Sequence, residues 1–411
     1  MVACIATLAI TIAAFLKRRN AIKNEGHNTE QSGNLITTGL LSKLRSFSWE
    51  SKLEGNPGNI NLNSDLKNQI DNIPYNTKRE ISRNAFQIDA EIGAGNFGKV
   101  HKGVLDGLYG CDSKTTIAIK STHGVGTENG ITDLLCEIKL MSYIKPHPNL
   151  ASMIGSCKSE LTENGKLWLL IEFCECGDLL NYLKNNKQLI LSGNCDAALN
   201  ARCLLRLAYD VANGMQYLEE HRIMHGDLAA RNVLLAENSA DTDFPLAKVA
   251  DFGLAKKFYE NKTYEKSSRL SVPWKWMALE YLNDDYFTLK SDVWSFSVLL
   301  WEIMSFGRPP YGQKGYDEVL EQLNEGYRLP FPSNILSDSH FYLQKIYNQI
   351  SNACFVSEPS DRCTFSDVVT MIKAELSDIE QAQYTEMVKL YQENKADNYL
   401  RMGLKGAFRK T

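Results

Sequence analysis

The sequence predicts an α+β fold over residues 86–376, where apolar strands alternate with amphipathic helices. Three observations carry this. The stretch KVHKGVL at 99–105 alternates like a strand and directly follows three closely spaced glycines, which places those glycines in a hairpin. In DLLCEIKLM, Leu134, Leu135, Ile138 and Met141 form one helical apolar stripe. Farther on, Leu204, Ala208, Val211, Met215 and Leu218 recur at alternating steps of four and three, the spacing of an amphipathic helix.

The chain has 411 residues, 44% of them hydrophobic and 23% charged, which is the balance of a globular protein. A net charge of −4 argues against nucleic acid as a partner, since a nucleic-acid binder is expected to be basic. Its ten cysteines lack the paired CxxC spacing of a zinc site, so they are expected to be reduced thiols of a cytosolic domain.

The chain divides into four parts. Residues 1–19 are expected to be a membrane anchor with a basic stop-transfer, because Met1 to Leu16 carries no charge and ends at Lys17-Arg18-Arg19. At 1.5 Å per residue the apolar run spans about 24 Å, less than the ~30 Å bilayer core. The basic cluster compensates by snorkelling, and the positive-inside rule keeps the rest of the chain in the cytoplasm. A cleaved secretory signal fits less well, since its charges should precede the apolar run. Residues 20–85, rich in Asn, Ser, Gly, Lys and Glu, are expected to be a flexible juxtamembrane segment. Residues 86–376 form the folded domain, and 377–411 a charged, tyrosine-bearing tail. So little precedes the anchor that no folded ectodomain is expected in this chain.

Chemistry begins at EIGAGNFGKV, where Gly93, Gly95 and Gly98 stand in GxGxxG spacing. That string also opens dinucleotide-binding folds, but there the glycines run into a helix, not a strand. In a hairpin, glycines let backbone amides approach phosphate oxygens. Twenty-two residues after Gly98, the strand TIAIK ends at Lys120. A buried ammonium needs anionic partners, which phosphates and one carboxylate can supply. Glu137, on the helix that follows, is the candidate carboxylate. Either residue alone reads as a solvated surface charge; the pair behind a glycine hairpin points to function.

HGDLAARNVLL at 225–235 supplies Asp227, a carboxylate suited to accept a hydroxyl proton, and Asn232, an oxygen ligand for a metal. VADFGLA at 249–255 supplies a second metal carboxylate, Asp251. Each alone is an ordinary loop residue. In this order and at these spacings they form a highly specific constellation.

Across about 290 residues the chain resembles the eukaryotic protein kinases. The resemblance implies a two-lobed fold, a small antiparallel β lobe with one key helix and a larger, mainly α-helical lobe. It also implies ATP held between the lobes with magnesium, manganese being the alternative metal. Gly93, Gly95 and Gly98 then cover the phosphates, and Lys120 pairs with them and with Glu137. Asp227 acts as base, while Asn232 and Asp251 hold the metal. IEFCECGDLL at 171–180 resembles the family's hinge, with Ile171 as gatekeeper and backbone groups of Glu172 and Cys174 facing the adenine. Ile92, Val100 and Ala118 cover the purine from above and Leu234 lies beneath it. SDVWSFSVLLWEI at 291–303 resembles the buried helix under the catalytic loop, and its apolarity suits burial on all sides. Arg362 is implied to pair with Glu280.

DLAARN places Arg231 four residues after Asp227, which resembles receptor tyrosine kinases; serine/threonine kinases place a lysine two residues after, where this chain has Ala229. PWKWMALE at 273–280 resembles the tyrosine-kinase segment that shelves the substrate. IPYNTKREISRN at 73–84 resembles the juxtamembrane runs of fibroblast and platelet-derived growth factor receptors, and the spellings HGDLAARN and PWKWMALE resemble a nematode-expanded receptor tyrosine kinase group. The implied function is an ATP-dependent protein tyrosine kinase, anchored as a single-pass, plasma-membrane, receptor-like signalling protein. Its implied partners are protein substrates bearing tyrosine, a second copy for autophosphorylation at Tyr259 and Tyr264, and an SH2 domain at Tyr399 in the YxxM sequence ending at Met402. The tail's other tyrosines are Tyr384 and Tyr391.

Three positions depart from the family. Gly226 replaces the arginine that clamps a phosphorylated activation loop, so dependence on that phosphorylation is not expected. Trp274 and Leu279 replace a small aliphatic residue and a proline at the substrate shelf. Residues 187–203 are expected to form a short insert after the hinge helix. A pseudokinase scaffold is the alternative reading; it gains from these departures and loses because Lys120, Glu137, Asp227, Asn232 and Asp251 are all present.

Overall fold

The computed structural model describes residues 49–61, 66–95, 98–107, 114–122, 127–191, 197–237, 245–251, 273–332 and 340–377, with 381–382, 384–385 and 388–389 beyond them. The expected anchor, Tyr259, Tyr264, Tyr391 and Tyr399 lie outside the described residues.

The smaller lobe is built on an antiparallel sheet of five strands, β1 (Phe86–Gly95), β2 (Gly98–Leu105), β3 (Thr115–Ser121), β4 (Met153–Cys157) and β5 (Trp168–Glu172), in the order β1-β2-β3-β5-β4. Alternation along β3 sends Ile117 and Ile119 into a core with Phe86, Leu105, Trp168 and Leu170. The opposite face of β3 therefore carries Ala118 and Lys120. In register, Val100 pairs with Lys120 and Ala118 with Ile171, so these four residues share the face turned toward the larger lobe.

Before the sheet lies the short helix α1 (Glu50–Glu54), and between β3 and β4 the key helix α2 (Glu128–Tyr143). Thr127 caps α2 by accepting a hydrogen bond from the Gly130 N–H at 3.2 Å. The stripe Leu134, Leu135, Ile138 and Met141 is buried, as its spacing demands. Glu137 is buried on the same helix.

The described part of the juxtamembrane segment is not a flexible linker, which corrects the expectation for residues 49–61 and 66–85. Trp49, Ile70, Ile73 and Tyr75 are buried in one cluster with Ile131, Leu134 and Leu135 of α2. Lys52 Nζ donates to Thr132 Oγ1 at 3.3 Å, and Ser156 Oγ donates to Tyr75 Oη at 2.8 Å. The polar composition hid this, because four large side chains spaced along a polar stretch are enough to tie it down.

One further turn of helix, α3 (Leu161–Asn164), joins β4 to β5 in the smaller lobe; the larger lobe is helical, with α4 (Leu179–Leu191), α5 (Ala197–Glu220), α6 (Leu279–Asp284), α7 (Leu289–Met304), α8 (Tyr316–Asn324), α9 (His340–Cys354) and α10 (Phe365–Lys373). A two-stranded sheet, β6 (Val233–Ala236) and β7 (Leu246–Val249), lies between α5 and α6 in the chain. The insert expected at 187–203 is shorter than that, because α4 runs to Leu191 and α5 starts at Ala197. Leu204, Ala208, Val211, Met215 and Leu218 of α5 are all buried. A capping box of Thr288 and Ser291 starts α7, whose Val293, Trp294, Phe296, Val298, Leu299 and Ile303 are buried. Two acids interrupt its apolarity. Asp292 and Glu302 are buried there too, and both accept hydrogen bonds from the loop that carries Asp227.

Candidate active site

Between the lobes lies a cleft of about 460 Å³. Ile92, Val100 and Ala118 line its upper side, Leu234 its lower side, and Ile171, Glu172 and Cys174 its back edge. Lys120, Glu137, Asn232 and Asp251 line its polar end together with Arg231. Gly93 also lines it, whereas Gly95 and Gly98 close the hairpin as its last cross-strand pair.

The glycines differ in what they are for. At Gly98 a Cβ would meet Ser121 O at 1.9 Å, so β2 needs glycine there to lie against β3. At Gly93 a Cβ would meet only Val100 Cβ, at the ordinary distance of 3.9 Å. The fold itself leaves room for a side chain at Gly93, and what the missing Cβ keeps open is the cleft.

Lys120 Nζ donates to both Glu137 oxygens, at 2.9 and 2.8 Å, and to Asp251 Oδ1 at 2.9 Å. Burial opposes the charge on Lys120, but the Asp251 and Glu137 carboxylates overcome it and hold the ammonium's pKa above its ordinary value. Burial likewise pushes the Glu137 carboxyl up and the ammonium pulls it down; two oxygens on one ammonium is the geometry of a carboxylate. Asp251 has a left-handed backbone, φ 64°, which orients its carboxylate at the end of β7.

The loop that carries Asp227 hangs on the two acids of α7. Asp292 accepts the N–H groups of His225 at 2.7 Å and Gly226 at 2.9 Å. Glu302 accepts the Ala230 N–H and the Trp276 indole N–H, both at 2.9 Å. Buried acids on a hydrophobic helix require such donors, and that requirement is the signal by which sequence reading can find them. Gly226 sits at φ 79°, a conformation that glycine adopts without the Cβ penalty of about 1 kcal/mol.

Asn232 Nδ2 donates to the Asp227 carbonyl at 2.7 Å, which leaves the amide oxygen as the atom available to a cation. Arg231 Nη2 bonds Asp227 Oδ1, and the Arg231 guanidinium lies 4.6 Å from the Trp276 ring centre. Burial pushes the Asp227 carboxyl up to about 6, against the pull of Arg231 and Asn232. An amide oxygen from Asn232 and a carboxylate from Asp251 are hard oxygen donors, the set a divalent cation such as magnesium takes. The residues present therefore fit both a nucleotide and its metal.

Beyond the cleft, Arg362 donates from two nitrogens to the two Glu280 oxygens, at 3.0 and 3.1 Å. Glu172 is drawn toward the larger lobe as well, since Lys248 Nζ lies 3.1 Å from its carboxylate. Sequence reading did not anticipate that contact, nor the roles of Asp292 and Glu302.

A two-lobed α+β fold enclosing a lysine, two carboxylates and an amide in one cleft defines a phosphotransferase site, and residues 86–372 match the family model of protein tyrosine and serine/threonine kinases. The chain belongs to that family. Its sequence is 33% identical over 308 residues to fibroblast growth factor receptor 1 of Xenopus laevis, a match covering 72% of this chain and 35% of that receptor. The kinase domain is thus of the receptor tyrosine kinase-like kind, and the chain spans about a third of the length of that relative. Membership implies use of ATP and a divalent metal.

Proposed function

We propose that the chain is an active, magnesium-dependent protein tyrosine kinase that moves the γ-phosphate of ATP to tyrosine hydroxyls of proteins. The three-way contact of Lys120 with Glu137 and Asp251 carries this reading, because it draws the upper lobe, its helix α2 and the metal carboxylate into one charged centre.

In this reading the purine lies between Val100 and Ala118 above and Leu234 below, with backbone groups of Glu172 and Cys174 at its edge. Lys120 is held charged to meet phosphate oxygens. Asn232 and Asp251 hold magnesium, which when bound neutralises charge on the phosphates. Asp227 accepts the proton of the attacking hydroxyl and keeps that oxygen in line; a carboxyl with a pKa of about 6 is ionised at neutral pH yet basic enough to take a proton. Arg231 braces the Asp227 carboxylate from the side, resting on Trp276. Its position four residues beyond Asp227, and the identity to a receptor tyrosine kinase, support tyrosine as the acceptor.

The membrane-anchored, receptor-like role rests on the uncharged run Met1–Leu16 ahead of Lys17-Arg18-Arg19, together with the likeness to a growth factor receptor. Among the described residues no helix is long and apolar enough to cross a membrane. Autophosphorylation at Tyr259 and Tyr264 and SH2 docking at Tyr399 belong to the same proposal.

Phosphoamino-acid analysis tests it: the full chain is incubated with labelled ATP, magnesium and a mixed Tyr/Ser/Thr peptide pool. Label on tyrosine alone, absent from Asp227→Asn, is expected. Label on serine or threonine overturns the specificity, and no label above the Asp227→Asn control makes the chain a pseudokinase scaffold.

A further inference from the structure

The last turn of α9 and the approach to α10 bring Cys354 and Cys363 together, their sulfurs hydrogen-bonded at 3.5 Å. The two thiols are not equivalent. Cys354 is fully buried, and its thiol stands at the carbonyl end of a helix, where negative charge is disfavoured. Cys363 is only half-buried. The groups facing Cys363 are the Lys290 ammonium, which donates to its carbonyl at 2.9 Å, and the Asp367 and Glu219 carboxylates. The hydrogen bond shared with Cys354 lowers the Cys363 thiol's pKa, whereas burial holds Cys354 well above its ordinary value. This is the arrangement of a redox pair: one partly exposed cysteine and one buried cysteine whose sulfur is within reach to resolve it.

The loop between them is also the loop that secures Arg362. Arg362 takes the Val356 carbonyl at 3.1 and 3.0 Å from Nε and Nη2, and its backbone is covalently next to Cys363. Cys363 N–H in turn donates to Ala353 O at 3.2 Å, so the two ends of the loop already meet.

We propose that Cys354 and Cys363 are a redox site, which hydrogen peroxide converts to an intramolecular disulfide that staples the loop holding Arg362. The Cys363 thiolate attacks one peroxide oxygen, the O–O bond breaks, and the departing hydroxide leaves as water with the proton the thiol gave up. Cys354 then attacks the resulting sulfenic sulfur, the S–O bond breaks, and the hydroxyl leaves with the Cys354 proton as a second water. Two thiols are oxidised and one peroxide is reduced. The sulfurs must close from 3.5 Å by roughly 1.5 Å to reach bonding distance. A disulfide in a cytosol-facing domain is expected to be transient and reversible by cellular thiols, as a sensor requires.

The test uses the full chain, treated with hydrogen peroxide, quenched with an alkylating agent and digested without reductant. A peptide linking Cys354 to Cys363 is expected, returning to two free thiols with dithiothreitol. Cys354→Ala, which keeps the reactive sulfur and removes the resolving one, is expected to accumulate a dimedone-reactive sulfenic acid at Cys363. The linked chain is expected to melt several degrees higher than the reduced one, and Cys363→Ser to show no such rise on peroxide treatment. Full alkylation of both thiols after peroxide, or a first oxidation at another cysteine, overturns the redox site. A linked chain that melts at or below the reduced temperature overturns the stapling role.

Discussion

Tyr384 Oη donates to Asn149 Oδ1 at 2.9 Å, and this bond joins the segment after α10 to the loop between α2 and β4. Asn149 is completely buried; its Nδ2 donates to Ala247 O at 3.0 Å and its carbonyl accepts the Val249 N–H at 2.8 Å. One side chain thus joins the tail, the loop after α2 and β7, the strand that leads to Asp251. The Tyr384 ring packs edge-on against Tyr209, with centroids 5.0 Å apart. Tyr384→Phe is expected to destabilise the chain by about 1 kcal/mol, the net worth of the hydrogen bond, and Tyr384→Ala by about 3 kcal/mol. Urea denaturation monitored by circular dichroism measures both.

The hairpin glycines should separate folding from nucleotide binding. Gly98→Ala forces a Cβ onto Ser121 O and is expected to lower stability by roughly 3 kcal/mol through backbone strain and overpacking. Gly93→Ala finds space in the fold, so its melting temperature is expected to stay near that of the parent while KM for ATP rises. Equal destabilisation of the two variants contradicts this division.

As the proposed base, Asp227 is expected to set the acid limb of activity. Its folded pKa is raised to about 6, so lowering the pH through 6 protonates the base and activity falls. A profile of kcat/KM against pH is expected to rise with an apparent pKa near 6 and then level off. Linkage runs the other way for stability: the folded state binds this proton more tightly than the unfolded one, so the group's contribution is fully present below the unfolded value near 3.8 and is lost as pH rises through about 6. The pH at which the fold gains from this carboxyl is therefore not the pH at which catalysis does.

Lys120 and Glu137 hold the two parts of the upper lobe together at the cleft. Both are buried, so Glu137→Gln leaves the ammonium with a weaker partner, and loss of one member of such a pair costs about 3–5 kcal/mol when nothing replaces it. The expected result is a large fall in kcat and a smaller loss of stability, because Asp251 still meets Lys120. Thermal denaturation beside steady-state kinetics distinguishes the two effects.

Trp49 should matter to α2 although it lies far from the chemistry. It is 3% exposed in the cluster that includes Leu134 and Leu135, the residues just before Glu137 on that helix. Trp49→Ala is expected to destabilise by about 3 kcal/mol and to reduce activity in the full chain. Unchanged kinetics and melting in that variant mean that the segment does not brace α2.

Much of the site was legible because its chemistry uses short, rigid spacings. Asp227 and Asn232 sit five residues apart on one loop, and the alternation of β3 places Ala118 and Lys120 on one face whatever the rest of the chain does. The apolar stripe of α2 likewise identified Glu137 as the acid carried by a packed helix. The supports of the site were harder to read. Asp292 and Glu302 look like isolated charges in a hydrophobic stretch, and only their burial reveals that they must accept the N–H groups of the loop above them. The packing of Trp49, Ile70, Ile73 and Tyr75 was invisible because scattered apolar residues have no period to report.

By itself, then, the sequence determined the α+β class, the strand and helix faces, and the charged and polar residue types that the fold gathers at one cleft. Those follow from local periodicity and from the chemistry of side chains a few residues apart. The tertiary structure alone decided that Lys120 reaches Asp251 across 131 positions, that Asn149 receives Tyr384 across 235, and that Cys354 touches Cys363. Such contacts depend on how whole elements pack or how a loop folds back between two helices, and packing is settled by the burial of many side chains at once rather than by any local pattern.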